Sequence, residues 1–244
     1  MIEHIIDRMK TVDGVSEVYI ATSSHPDDRI LSDIASENGV RAYQGSELSV
    51  IDRLLDIAEI ESAEFVIRVT GDNIYTDPRL LELLIQKVLQ MNADYGRVEG
   101  APIGVTAEVM KVSALKHCLS FMAPEHSEYL MLYMFDPDRF KTVVIDVSEW
   151  VPAFSSLTVD TPEDWERTQF IESKIGGEKN ITLSDIVNLS RISEIPHFFL
   201  DSEASVKLPN SKVVSLGQFM ERQSALARKS QTHVPLSQKE YDDA

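Results

Sequence analysis

Within the first ninety residues, short apolar runs alternate with helical periodicity, and this alternation limits the possible folds more than any other feature. Apolar runs at 18–22, 40–43 and 65–69 read as strands. Between them lie helical patterns: one carries Ile30, Leu31 and Ile34 and stops at Asn38 and Gly39, and the next spans 50–60 with Leu54, Leu55 and Ala58 inward. A further helix carries Ile2, Ile5, Ile6 and Met9 and ends near Asp13 and Gly14. Asp77 and Pro78 open another as N-cap and first helical residue. Strands separated by whole helices cannot pair as hairpins. They need crossovers, which are right-handed and place helices on both faces of the sheet. The expected architecture is a three-layer α/β/α domain around a mainly parallel, Rossmann-like sheet.

The rest of the chain is less regular. Strands are expected at 106–112, 140–147 and 157–160, and helices at 113–118, 125–134 and 162–175. Gly176 and Gly177 break the pattern, dividing the chain into an α/β domain at 1–176 and a C-terminal extension at 177–244. The extension is expected to hold an amphipathic helix at 182–193, a strand at 197–200, a helix at 215–229 and a solvated tail from Ser230.

Charge narrows the function classes. With 40 Asp and Glu against 23 Lys and Arg, the net charge is −17. A general nucleic-acid binder needs a basic face, so that class is excluded, whereas a nucleotide held by a few local cations and a divalent metal is not. No apolar run approaches the ~20 residues of a membrane helix, so no membrane insertion is expected. Cys118 is the only cysteine; it reads as a core residue and fits a reducing cytoplasm.

In an open parallel sheet, ligands bind at the carboxyl ends of the strands. Two acidic residues stand at such positions: Asp72, after the 65–70 run, and Asp160, after 157–159. Together they could hold Mg²⁺ against a substrate phosphate. Asp72 could equally be a turn former beside Gly71. Asp160 lies just outside a complete helix start, in which Thr161 is the cap, Pro162 follows, and Asp164 is three residues on. Arg68 interrupts an apolar strand and needs a partner, a structural carboxylate before a ligand phosphate.

These residues together resemble the cytidylyltransferase family. The resemblance rests on Glu3-His4-Ile5-Ile6-Asp7-Arg8, Ile20-Ala21-Thr22-Ser23, Gly45-Ser46 with Val50 and Arg53, Arg68-Val69-Thr70-Gly71-Asp72, and the segment from Leu157 to Asp164. It covers about residues 1 to 175 and is most like the spore-coat polysaccharide protein F group. It implies a nucleotide-diphospho-sugar transferase-like fold and a sugar nucleotidyltransferase that makes a CMP-sugar from CTP and an acidic or amino sugar, for surface polysaccharide or glycan synthesis. It further implies a metal site at Asp72 and Asp160, nucleotide contacts from Ser46, Arg53 and Asp72, and sugar contacts from Glu108 and Glu128. A homodimer is compatible with it. The alternatives are a helix-surface ion pair for Arg53 with Glu47 or Asp56, a solvent-facing strand residue for Glu108, and a helix-surface charge for Glu128. His25 and His126 read as capping or surface groups.

The sequence also departs from the family. There, a strand and a phosphate-cradling loop rich in Gly, Ser, Arg, Pro and Lys precede the helix that begins here at Met1. The sheet is therefore expected to be incomplete on that side and CTP binding weak. Thr106 stands where the family has Asp, and residues 127–131 keep only Glu128 of an Arg-Glu-His-Val-Thr pattern. Two other readings follow: a non-catalytic sugar-nucleotide binder of the same fold, and a metal-dependent glycosyltransferase. The latter would use Asp-x-Asp, yet Asp136-Pro137-Asp138 reads as a turn.

Overall fold

A computed structural model describes residues 1–176 and 180–244. The described residues form nine strands and ten α-helices: α1 (Ile2–Met9), β1 (Tyr19–Ser23), α2 (Arg29–Glu37), β2 (Arg41–Gly45), α3 (Val50–Ile60), β3 (Phe65–Arg68), α4 (Pro78–Met91), β4 (Tyr95–Glu99), β5 (Glu108–Lys111), α5 (Val112–Cys118), α6 (Leu130–Met134), β6 (Thr142–Asp146), α7 (Pro162–Ile175), α8 (Leu183–Ile192), β7 (Ser205–Leu208), β8 (Lys212–Ser215), α9 (Leu216–Lys229), β9 (Thr232–Pro235) and α10 (Gln238–Asp242).

The main sheet has the order β3-β5-β4-β6-β9; β4, β6 and β9 run parallel, and β5 is antiparallel to both β3 and β4. Successive strand residues face opposite sides, and the core divides accordingly. Val109, Val143 and Ile145 pack with α1, α4, α7 and α8, while Met110, Val144 and Tyr95 pack with α3, α5 and α6. This is the expected three-layer α/β arrangement around a mostly parallel sheet. Gly96 permits the close approach of α4 to β4: a Cβ there would lie 2.3 Å from Val88 Cγ2.

β1 and β2 form a separate parallel pair. Between β1 and β3 runs a groove of about 660 Å³, which separates this pair from the main sheet. The N-caps are as read from the sequence. Asp77 caps α4 through Leu80 N, and Thr161 and Asp164 form a reciprocal capping box on α7.

Several expectations are corrected. Residues 157–160 form no strand, because Leu157 N bonds to Ile103 O while Val159 N bonds to Asp72 O, two separate segments rather than one ladder. Residues 197–200 contribute only an isolated bridge, Ser155 with Phe199. Most of the 125–134 helix is a 3₁₀ turn, Pro124–Tyr129, before the short α6. The segment from Ser230 is not a solvated tail. Its β9 completes the main sheet, and α10 buries Tyr241. Polar residues make those contacts, which hid them from an apolar-pattern reading: Gln231 Oε1 accepts from Thr142 N at 2.8 Å, and the Tyr241 hydroxyl donates to Asp77 Oδ2 at 2.7 Å. α8 joins the same apolar cluster as α1 and α4, which ties residues after 180 to the N-terminal part; Gly177 of the expected boundary lies outside the described residues.

Tyr241→Phe removes a donor from a buried carboxylate that keeps Leu80 N and Leu183 N. The expected loss is ~1.5–3 kcal/mol of unfolding free energy in urea denaturation. An unchanged midpoint would mean that α10 is not docked.

Candidate active site

The carboxyl ends of β1, β2 and β3 carry the short polar segments expected of a ligand-binding edge. β3 leads into a turn, with Asn73 N donating to Thr70 O at 3.1 Å, and this sets Asp72 just beyond the strand. Opposite it, residues 157–160 are laid down as an extended segment. Gly104, at φ +92°, allows the approach, since a Cβ there would lie 2.5 Å from Thr158 N.

Asp72 and Asp160 come together around one hydroxyl. Thr158 Oγ1 lies 3.0 Å from Asp72 Oδ2 and 3.1 Å from Asp160 Oδ2. A hydroxyl has one proton and can donate to only one carboxylate at a time. The other therefore faces an oxygen with no hydrogen between. Asp72 Oδ1 is buried and without a hydrogen-bond partner, whereas Asp160 is exposed. A cation beside these oxygens would satisfy both defects, so the donor set fits a hard divalent ion. Among the described residues no three His, Cys, Asp or Glu side chains converge as a metal site, so substrate and water would complete the shell.

Arg167 fixes this segment and was not singled out in the sequence. Its guanidinium is fully buried. Nη1 donates to Asp164 Oδ1 at 2.8 Å and His197 O at 2.7 Å, and Nη2 donates to Thr158 O. The available signal was its place on α7, three residues after Asp164 and four before the inward Ile171. Burial would raise the Asp164 carboxyl. The backbone N–H groups of Asp160 and Thr161, the Thr161 hydroxyl and Arg167 outweigh it and hold the group below its ordinary range.

The cations lie along the groove beside β3. Arg53 and Arg68 both line it. Arg53 pairs with neither Glu47 nor Asp56: its Nη1 donates to Ser46 O at 3.1 Å, its Nε is buried and unpartnered, and Asp56 instead accepts from the Tyr43 hydroxyl. Burial lowers its pKa first, with nearby Asp28 opposing and Arg68 adding. Ser46 Oγ accepts from Ser49 N at the start of α3. Arg68 has the structural carboxylate expected of it, with Nη1 2.8 Å from Glu108 Oε2. Glu108 also accepts from the Tyr95 hydroxyl at 2.5 Å, so it is a half-buried ion-pair member and not a solvent-facing residue. Glu128 is exposed, and its backbone carbonyl lies 3.4 Å from Arg68 Nη2.

Other candidates have structural roles. His25 caps a 3₁₀ turn by accepting from Asp27 N, and His126 stacks on Tyr133. Asp136 and Asp138 form a turn, with Arg139 on Asp136 at 3.0 Å, and not a strand-end Asp-x-Asp metal site. Cys118 is buried in the core.

Two predictions follow from this geometry. Arg167→Lys cannot span three acceptors and strands part of a buried ionic network; it is expected to destabilise the protein by ~3–5 kcal/mol in chemical denaturation, and wild-type stability would refute the clamp. Asp164 is depressed in the folded state, so its contribution to stability is complete above its ordinary value of 3.8 and is lost as pH falls through its lower folded value. Acid unfolding of Asp164→Asn should therefore show a smaller stability loss over that window than wild type; equal losses would remove Asp164 from the acid transition.

Comparison with known proteins agrees with this architecture. The sequence profile described as Cytidylyltransferase matches residues 1–131. The chain is 32% identical over 176 residues to the spore coat polysaccharide biosynthesis protein SpsF of Bacillus subtilis, covering 70% of this chain and 73% of that protein. It is 24% identical over 216 residues to an uncharacterized protein of Methanocaldococcus jannaschii, covering 87% and 84%. Among solved structures, a cytidylyltransferase from Leptospira borgpetersenii superposes with a TM-score of 0.71 at 22% identity, covering 80% of this chain and 85% of that one. A CMP:2-keto-3-deoxy-manno-octonic acid synthetase complexed with CTP superposes at 0.56 with 17% identity, covering 72% and 88%. No helix among the described residues is long and apolar enough to cross a membrane. Because the profile spans more than half of its length and a relative above 30% identity covers most of it, this chain belongs to the cytidylyltransferase family.

Proposed function

We propose that this chain is a sugar cytidylyltransferase whose metal and nucleotide site is centred on Asp72 and Asp160. A sugar hydroxyl attacks the α-phosphorus of CTP and a new oxygen–phosphorus bond forms. The bond from that phosphorus to the bridging oxygen of the β-phosphate breaks, pyrophosphate leaves, and the hydroxyl proton passes to solvent. The observation that carries this reading is the Thr158 hydroxyl set between the two carboxylates, beside an unpartnered buried oxygen of Asp72.

Mg²⁺ bound there would neutralise charge on the transferring phosphate and on the leaving pyrophosphate. It is commonly held by one or two carboxylates, with phosphates and water completing its shell, which is the donor set available here. The chain's own residues position the reactants. Ser46 and Arg53 form the nucleotide wall, with the Arg53 guanidinium held by the Ser46 carbonyl. Glu108 acts through Arg68 by fixing its guanidinium, which suits it to an acidic sugar or a phosphate. Glu128, exposed beside Arg68, stands on the sugar side. The work is positioning and charge neutralisation, with no covalent intermediate.

The relationship to a spore coat polysaccharide biosynthesis protein supports a role in surface polysaccharide or glycan synthesis, carried out in the cytoplasm where CTP is supplied. A nucleotide-binding member without turnover is the second reading; the occupation of Glu108 by Arg68 and Tyr95 favours it.

Isothermal titration of CTP with and without Mg²⁺ tests the site. Asp72→Asn and Asp160→Asn should each weaken Mg²⁺-dependent CTP binding by roughly 10- to 150-fold, the loss of a charge-assisted ligand worth ~1.5–3 kcal/mol. Metal-free binding should change little. If both variants bind CTP in Mg²⁺ as wild type does, the metal site lies elsewhere. Pyrophosphate release from CTP with an acidic sugar would separate the first reading from the second.

A further inference from the structure

The 3₁₀ turn Pro124–Tyr129 is fastened to both cation-bearing elements of the candidate site, and neighbouring residues make the two attachments. The Glu128 carbonyl lies 3.4 Å from Nη2 of Arg68, the last residue of β3. One residue earlier, the Ser127 hydroxyl accepts from Val50 N at 2.8 Å, at the first residue of α3 and 77 positions away in the chain. Ser127 is buried without solvent access. Its one hydroxyl proton goes to Pro124 O at 2.5 Å, so the oxygen meets the Val50 N–H with a lone pair and the rotor is fixed.

A helix start leaves its first N–H groups without intrahelical partners. In α3, Ser49 Oγ accepts from Asp52 N within the local chain, whereas the partner of Val50 N comes from the distant turn. The same few residues carry the nucleotide wall. Ser46 Oγ accepts from Ser49 N, and Arg53, one turn into α3, donates to Ser46 O. Ile51, Leu54 and Leu130 share a buried apolar cluster that holds α3 to the segment after the turn. Apolar packing is non-directional, so it brings the two together without setting their register. A directional bond at Val50 sets it.

We propose that Ser127 is a positioning residue that keeps the nucleotide and sugar sides of the site in register. Through Val50 it fixes the start of α3, and with it Ser46 and Arg53, relative to Arg68 and Glu128. This role rests on the nucleotide wall of the proposed function. Being buried, Ser127 touches no ligand and acts only through the segment it holds.

The test uses the full chain, with CTP binding in Mg²⁺ read by calorimetry and amide exchange read by NMR. Ser127→Ala removes the acceptor and should weaken CTP binding by about 5- to 20-fold. It should speed exchange of the Val50 amide at least about tenfold and leave the Leu80 amide of α4 unchanged. Ser127→Thr keeps the oxygen and should bind CTP within about threefold of wild type. Should its extra methyl unfold the protein, an Arg53→Gln background still decides. There Ser127→Ala should add less than about a further twofold, because the group it positions is gone. Ser184→Ala removes another buried hydroxyl acceptor, that of Gln238 Nε2 between α8 and α10, and should leave CTP binding unchanged. Wild-type affinity of Ser127→Ala beside weak binding by Arg53→Gln would overturn the proposal and leave the nucleotide wall standing. Wild-type affinity of Arg53→Gln would overturn the wall, and the proposal with it. Equal weakening by Ser184→Ala, or full additivity of Ser127→Ala with Arg53→Gln, would make Ser127 a merely structural residue and overturn the proposal as well.

Discussion

A guanidinium with no access to solvent holds the candidate site in place. Arg167 takes the Thr158 carbonyl, the His197 carbonyl and the Asp164 carboxylate at once, and so fixes a segment that has no strand ladder of its own. With that segment set, Val159 N reaches Asp72 O, and the Thr158 hydroxyl falls between two carboxylates. The cost of burying Arg167 is offset only because its partners are already in position, which is why α7 must begin where its capping box puts it. The candidate site's edge is thus an extended segment tied down from below by one helix, and not simply the end of a regular strand.

Much of this was legible in the sequence because the relevant signals are local. Thr161-Pro162-Glu163-Asp164 is a helix start by chemistry alone, and the same holds for Asp77-Pro78. Arg68 in an apolar run required a carboxylate and has one in Glu108. Asp72 and Asp160 follow from the rule that ligands gather at strand ends, although 157–160 turned out to reach that edge without being a strand.

What escaped notice was long-range and polar. β4 carries Gly96, Arg97 and Glu99, which blur any apolar run. The glycine is needed for α4 to approach, and the two charges pair with each other and with Gln223 and Ser224 of α9. β9 and α10 were read as a tail because their anchors are Gln231, His233 and Tyr241, whose partners lie more than eighty residues away. Arg167 looks like a surface helix residue until its three acceptors are known. No local pattern can report a partner that only the fold supplies.

The central claim is that Asp72 and Asp160 are the protein ligands of the metal that accompanies CTP. The most direct measurement is anomalous scattering from Mn²⁺ in crystals of the full chain grown with CTP. The account predicts one strong peak within coordination distance of both the Asp72 and Asp160 carboxylates. A manganese peak bound by phosphates but distant from both carboxylates would contradict it.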